Sequence, residues 1–115
     1  MDEKLEKAMQ TANYMATLNT QKKIALEEFR QSLVYYHDGA SFIADRELIN
    51  FIKSLIDLEY TQFIVLDDNH IPVEITDLKL FLESLLDVYK QSANDYIKKY
   101  KDLKKKRKVE DLVIL

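Results

Sequence analysis

A chain of 115 residues that holds one Gly and one Pro has few means of turning sharply or breaking a helix. Glycine supplies the left-handed conformations of tight turns, and proline stops helices by removing a donor and clashing with the preceding turn. Long helices follow, and a turn-rich all-β sandwich is excluded. Composition agrees: with 47% apolar and 32% charged residues the chain is able to bury a core and is unlike a disordered tail. The length suits a single domain, residues 1–115, with one core. The absence of Cys removes disulfides, thiol catalysis and thiolate metal sites, and fits an intracellular protein. The start, Met1-Asp2-Glu3-Lys4-Leu5-Glu6, lacks the basic and apolar regions of a secretory leader. No apolar run approaches the roughly 18 residues of a membrane span, so the expectation is a soluble protein with no membrane partner.

Hydrophobic spacing predicts an α+β, mostly helical fold in the order α-ββ-α-ββ-α. An N-terminal helix is expected over residues 2–32, with Leu5, Ala8, Ala12, Met15, Leu26, Phe29 and Leu33 on one stripe. A break at Thr17-Leu18-Asn19-Thr20 is the alternative, because two β-branched residues and a cap former stand there. A hairpin plus helix is expected over 34–58. Val34–His37 and Ala40–Ile43 flank Asp38-Gly39, the dipeptide of a type I′ turn, and Asp45 offers an N-cap to a helix carrying Leu48, Phe51, Ile52, Leu55 and Ile56 inward. A second hairpin and a long helix are expected over 62–108. Pro72 must lie at an edge or point away from its neighbour, and Thr76 is the expected cap. The stripe Leu82, Leu86, Tyr89, Ala93, Tyr96, Tyr100 and Leu103 is spaced 4, 3, 4, 3, 4, 3, the rhythm of one helix lying along another.

A slide of 30 residues lays Val34–Asp57 on Ile64–Asp87 with six identities: Asp38 with Asp68, Leu48 with Leu78, Phe51 with Phe81, Ser54 with Ser84, Leu55 with Leu85 and Asp57 with Asp87. This is either an internal hairpin–helix duplication or a chance likeness of two amphipathic helices. A last helix of about 32 residues spans roughly 48 Å, longer than the ~34 Å diameter of a compact globule of this length. Its stripe therefore needs cover, either from the N-terminal helix of the same chain or from a second copy. Self-association through the long helices is the expectation.

Chemistry is thinly represented. Asp67-Asp68-Asn69-His70 offers oxygen and imidazole ligands but is too short for a calcium loop, and a hairpin turn is the better account. His37 and His70 fall near corresponding turns and are expected to be solvent-accessible. There is no Ser-His-Asp arrangement, Gly-rich phosphate loop or HExxH segment. No catalytic residue, metal ligand or cofactor is expected, and the chain does not read as an enzyme. Tyr35, Tyr36, Tyr89, Tyr96 and Tyr100 suggest base-stacking platforms, yet the helical spacing of the last three favours packing. Residues 1–97 carry 9 basic and 17 acidic residues (net -8), while residues 98–115 carry 8 basic and 3 acidic (net +5). The run Lys104, Lys105, Lys106, Arg107, Lys108 is either a solvated helix end complementing the macrodipole, a contact for nucleic acid, which is the weaker partner reading, or a contact for an acidic protein. Residues 109–115 form an apolar tail; Leu112, Val113, Ile114 and Leu115 either fold onto their own domain or a sister subunit, or insert into a partner's groove or add to a sheet edge.

Several segments together resemble a family of small proteins carried by T-even-like myoviruses of marine bacteria, the cyanophage group. They are Ala12-Asn13-Tyr14 with Thr17-Leu18 and Gln21; Asp38-Gly39 with Phe42, Asp45-Arg46, Leu48-Ile49 and Phe51; Leu66-Asp67-Asp68-Asn69 with Pro72-Val73 and Asp77-Leu78; and Tyr96 and Tyr100 before Leu103-Lys104-Lys105, Arg107 and Val109-Glu110. The resemblance carries over no activity. It implies a phage setting, in the cytoplasm of an infected bacterium or in the virion, with another phage protein as the partner. Two roles follow as expectations. One is a non-enzymatic structural or assembly module that forms a homo-oligomer through its helices. The other is an accessory of phage DNA replication, recombination or transcription, acting through the basic run and the apolar tail.

Overall fold

The computed structural model describes residues 2–106, so Arg107, Lys108 and the tail at 109–115 lie outside the described residues. The elements are α1 (Glu3–Ser32), β1 (Val34–His37), β2 (Ala40–Ile43), α2 (Arg46–Asp57), β3 (Phe63–Leu66), β4 (Pro72–Ile75) and α3 (Leu78–Lys105). This is the α+β, mostly helical order that the sequence predicts. α1 runs unbroken through Thr17–Thr20.

An aspartate starts each helix. Oδ1 of Asp2 accepts from the Lys4 amide (3.1 Å), that of Asp45 from Leu48 (2.9 Å) and that of Asp77 from Leu80 (3.1 Å), so each carboxylate satisfies one of the amides a helix start leaves without a partner. The cap of α3 is thus Asp77 and not Thr76, because the Phe81 amide already closes the first helical bond on the Asp77 carbonyl. α2 ends differently. The Tyr60 amide bonds to Leu55 O and the Glu59 amide to Ile56 O, with Glu59 at φ 70°. That is a Schellman stop in which a glutamate takes the left-handed position usually given to glycine.

The one glycine serves the first hairpin. Asp38 (φ 48°) and Gly39 (φ 80°) form the two-residue type I′ turn, and β1 and β2 pair antiparallel from Val34↔Ile43 to His37↔Ala40. The second hairpin pairs Phe63↔Ile75 through Leu66↔Pro72. The Asp67 amide bonds to Ile71 O, and antiparallel ladders alternate bonded and non-bonded pairs. Leu66↔Pro72 is therefore a non-bonded pair, and the missing N–H of Pro72 faces away from β3, as its place in a strand requires.

By their contacts the described residues form two compact units, residues 2–30 with 94–106, and Gln31–Ala93. Among the described residues the buried apolar side chains form two clusters, one in each unit, with Leu33 buried outside both. In the 31–93 unit the inner faces of both hairpins (Phe42, Val65, Ile75) meet Ala44, Ile52, Leu55, Leu78, Phe81 and Leu85. Phe81 is central: its ring lies 5.0 Å from Phe42, 5.9 Å from Tyr35 and 5.5 Å edge-on to His37. His37 is thus half-buried against an aromatic ring and not the open turn residue expected, because it shares the inner face of β1 with Tyr35. The two hairpin–helix segments share an architecture, and the 30-residue register is kept in part: Leu55 and Leu85 are both buried. Their helix caps stand 32 residues apart, and Phe51 is 45% exposed where Phe81 is 2%.

In the other unit α1 and α3 run antiparallel: Tyr14 meets Lys106, Lys22 meets Tyr100, Glu28 meets Lys99 and Phe29 meets Tyr96. Leu18, Ala25 and Leu103 form its core, with Tyr14 and Tyr96 packed against it. The stripe expected on α1 is therefore corrected. Leu5, Ala8, Ala12 and Met15 are exposed, Leu26 and Phe29 are half-buried, and only Leu33, just past the helix, is buried.

Candidate functional site

The residues singled out in the sequence scatter. On α3, Leu82 packs against the core of the 31–93 unit, Tyr89 and Ala93 are half-buried, and Leu86 is exposed because Phe81, Leu85 and Val88 turn the inward arc by one position. Tyr96, Tyr100 and Leu103 face α1 of the same chain, where Tyr96 stacks on Phe29 at 5.1 Å. The Tyr100 ring lies beneath Lys22 Nζ (5.4 Å) and Lys104 Nζ (4.9 Å), so that face holds the protein's own cations. Lys104 and Lys105 are exposed, and Lys106 is half-buried with its carbonyl accepting from the Tyr14 hydroxyl at 2.6 Å. Arg107, Lys108, Leu112, Val113, Ile114 and Leu115 lie outside the described residues.

Asp67-Asp68-Asn69-His70 is a turn. The Asp67 carboxylate is buried, and its Oδ1 accepts from the amides of Asn69 and Ile71, both at 2.9 Å. The His70 amide bonds to Asp67 O, and His70 itself sits at φ 63°. This is a type I turn followed by a left-handed residue, the usual three-residue hairpin loop. Among the described residues no three His, Asp or Glu side chains are placed to hold a metal, and no helix is long and apolar enough to cross a membrane.

Among the described residues two groups of exposed apolar side chains stand out, each on one unit. The first is a face of α1. Tyr14, Leu18, Lys22, Ala25 and Phe29 turn toward α3, and at about 100° per residue Leu5, Met9, Ala12 and Ala16 fall on the opposite side, flanked by Ala8 and Met15. Leu5 and Met9 are 52% and 50% exposed. Five of the six lie in Ala8–Gln21, fourteen residues with no charged side chain in a chain that is 32% charged, while Leu5 stands before it between Lys4 and Glu6.

The second surface surrounds β3. Phe63 touches Tyr60 (5.2 Å) and Phe51 (6.4 Å) in a partly open aromatic group. Ile64 and Leu66 point outward from the hairpin, 60% and 55% exposed. The stretch from Ser54 to Leu78 carries Asp57, Glu59, Asp67, Asp68, Glu74 and Asp77 and no Lys or Arg. The units differ in sign: residues 31–93 hold eleven acidic and four basic residues (net -7), while residues 2–30 and 94–106 hold seven acidic and eleven basic (net +4). Sequence reasoning missed Met9 and Ala16 as surface residues, and the signal for them was the charge-free run. It missed the exposed side of β3 as well, and the signal there was the one-signed stretch.

No family model, curated protein or solved structure matches this chain.

Proposed function

We propose that this protein is a non-catalytic interaction module that self-associates through the outward face of α1. In the phage setting that the sequence resemblance implies, it serves as a structural or assembly component. The observation that carries the reading is the row Leu5, Met9, Ala12, Ala16, apolar and exposed, the last three set in the charge-free run Ala8–Gln21. The row complements itself. Laid antiparallel on a second copy with the two-fold axis between Met9 and Ala12, Leu5 meets Ala16 and Met9 meets Ala12, so each large side chain faces a small one. No like charges are opposed along the seam. Lys23, next on the same face, comes one turn beyond Asp2 of the copy, within reach of its long side chain.

Sedimentation equilibrium over a micromolar concentration series tests the reading. The wild-type chain is expected to populate a dimer, and the double variant Leu5→Glu/Met9→Glu to remain a monomer with unchanged helical circular dichroism. A wild-type monomer throughout the series overturns the proposal, as does a double variant that still dimerises.

A further inference from the structure

The hydrogen-bond alternation that turns Pro72 outward also fixes the other side of β3. Since Asp67 bonds to Ile71, the bonded pairs of the ladder are 65↔73 and 63↔75, and Ile64 and Leu66 occupy non-bonded positions. Their N–H and C=O groups point away from β4, and no further backbone hydrogen bond reaches them among the described residues. Just past the end of β3 the next amide of the same parity, Asp68, is taken, donating to the outward carbonyl of Ser41 on β2 at 2.7 Å. Within β3 itself no such bond occurs among the described residues, and the strand has none of the usual defences of an edge: it contains no charge, proline or bulge, and its outward side chains are Ile64 and Leu66. At its start lies a groove of about 390 Å³ lined by Gln62, Phe63, Ile64, Glu74, Ile75 and Thr76, beside the Phe51–Tyr60–Phe63 ring group.

We propose that the open edge of β3 is a strand-addition site for an extended segment of a partner protein in which apolar residues alternate with Lys or Arg. Main-chain bonds to Ile64 and Leu66 hold the added strand, and its apolar side chains cover Ile64 and Leu66. Charge selects the occupant. The surrounding stretch has six acidic residues and no basic one, which repels nucleic-acid phosphate. The same charge disfavours edge-to-edge pairing of two copies of this chain, because that brings two such stretches together. A basic, apolar strand neutralises them.

The probe is the peptide acetyl-Lys-Val-Lys-Val-Lys-Val-Lys-amide, titrated into the ¹⁵N-labelled full chain, with the Glu-for-Lys peptide as control. The expected result is saturable shifts of the Ile64 and Leu66 amides, slowed hydrogen exchange at both, and no response to the acidic peptide. The exposed pair Asp68→Lys/Glu74→Lys is expected to weaken binding by about tenfold while the amides of α2 and α3 keep their positions. Leu66→Pro removes one outward N–H at a non-bonded position, as Pro72 already does across the ladder, and is expected to weaken binding without loss of the hairpin. Shifts confined to other elements, equal binding of the acidic peptide, or β3 shifts that follow protein concentration in the absence of peptide overturn the proposal.

Discussion

Asp67 directs one carboxylate oxygen to two backbone amides inside a loop of three residues, and it is one of two buried polar side chains among the described residues. Removing it leaves two amides of the loop without their acceptor. Asp67→Ala is therefore expected to cost ~1–3 kcal/mol, and Asp67→Asn, which keeps a carbonyl oxygen, distinctly less. Urea midpoints at constant slope measure both. Asp68, its exposed neighbour, tolerates Ala within about 0.5 kcal/mol. The chemistry of this tetrad is legible in sequence, since Asp and Asn make turns by bonding nearby amides. Which of the two aspartates goes inward is not, because that depends on face: Asp67 continues the inner row of Phe63 and Val65, and Asp68 starts the loop. The same holds for His37, whose place against Phe81 follows from strand parity and not from its proximity to a turn. Glu59 and His70 at positive φ are hidden for another reason. With one glycine in the chain, the other left-handed positions fall to residues that do not announce them.

At the scale of elements, α2 and α3 show what a sequence slide preserves and what it loses. The slide matches Leu55 to Leu85, both buried, and Phe51 to Phe81, of which only the second is buried. The inward arcs of α2 and α3 therefore differ by a fraction of a turn, enough to leave one phenylalanine in the core and the other at the margin. Phe81→Ala is accordingly expected to cost ~3–5 kcal/mol, and Phe51→Ala under about 1.5 kcal/mol, as thermal or urea unfolding of the two variants will show. Every helix and both hairpins were legible because caps, a type I′ dipeptide and long uninterrupted periodicity are local signals. The faces were less so. On α1 the charge-free run from Ala8 to Gln21 offers several apolar arcs. The inward arc, Tyr14, Leu18 and Ala25, is decided by the partner helix and not by α1 itself. On α3 the rows through Leu82–Leu86 and Phe81–Leu85 are adjacent and equally greasy, and the hairpins choose the second.

At the scale of the molecule, the two clusters differ in weight among the described residues: nine buried apolar residues form the core of the 31–93 unit and three form that of the other. Apolar burial is the main favourable term in folding, so local opening is expected to differ between the units. In native-state hydrogen exchange on a dilute sample, amides of residues 5–16 are expected to exchange through openings well below the global free energy, while those of residues 49–56 and 81–88 exchange only at or near it. This ordering bears directly on how the exposed face of α1 works. Under the proposed self-association, the exposed side of a helix held by three core residues among the described residues pairs with a copy, and the pairing adds contacts to α1. Raising the protein concentration should therefore slow exchange selectively at residues 5–16 in the wild-type chain, leave residues 81–88 unchanged, and have no effect in Leu5→Glu/Met9→Glu. Uniform slowing across both units would mean that association stabilises the chain globally and does not act on the helix face.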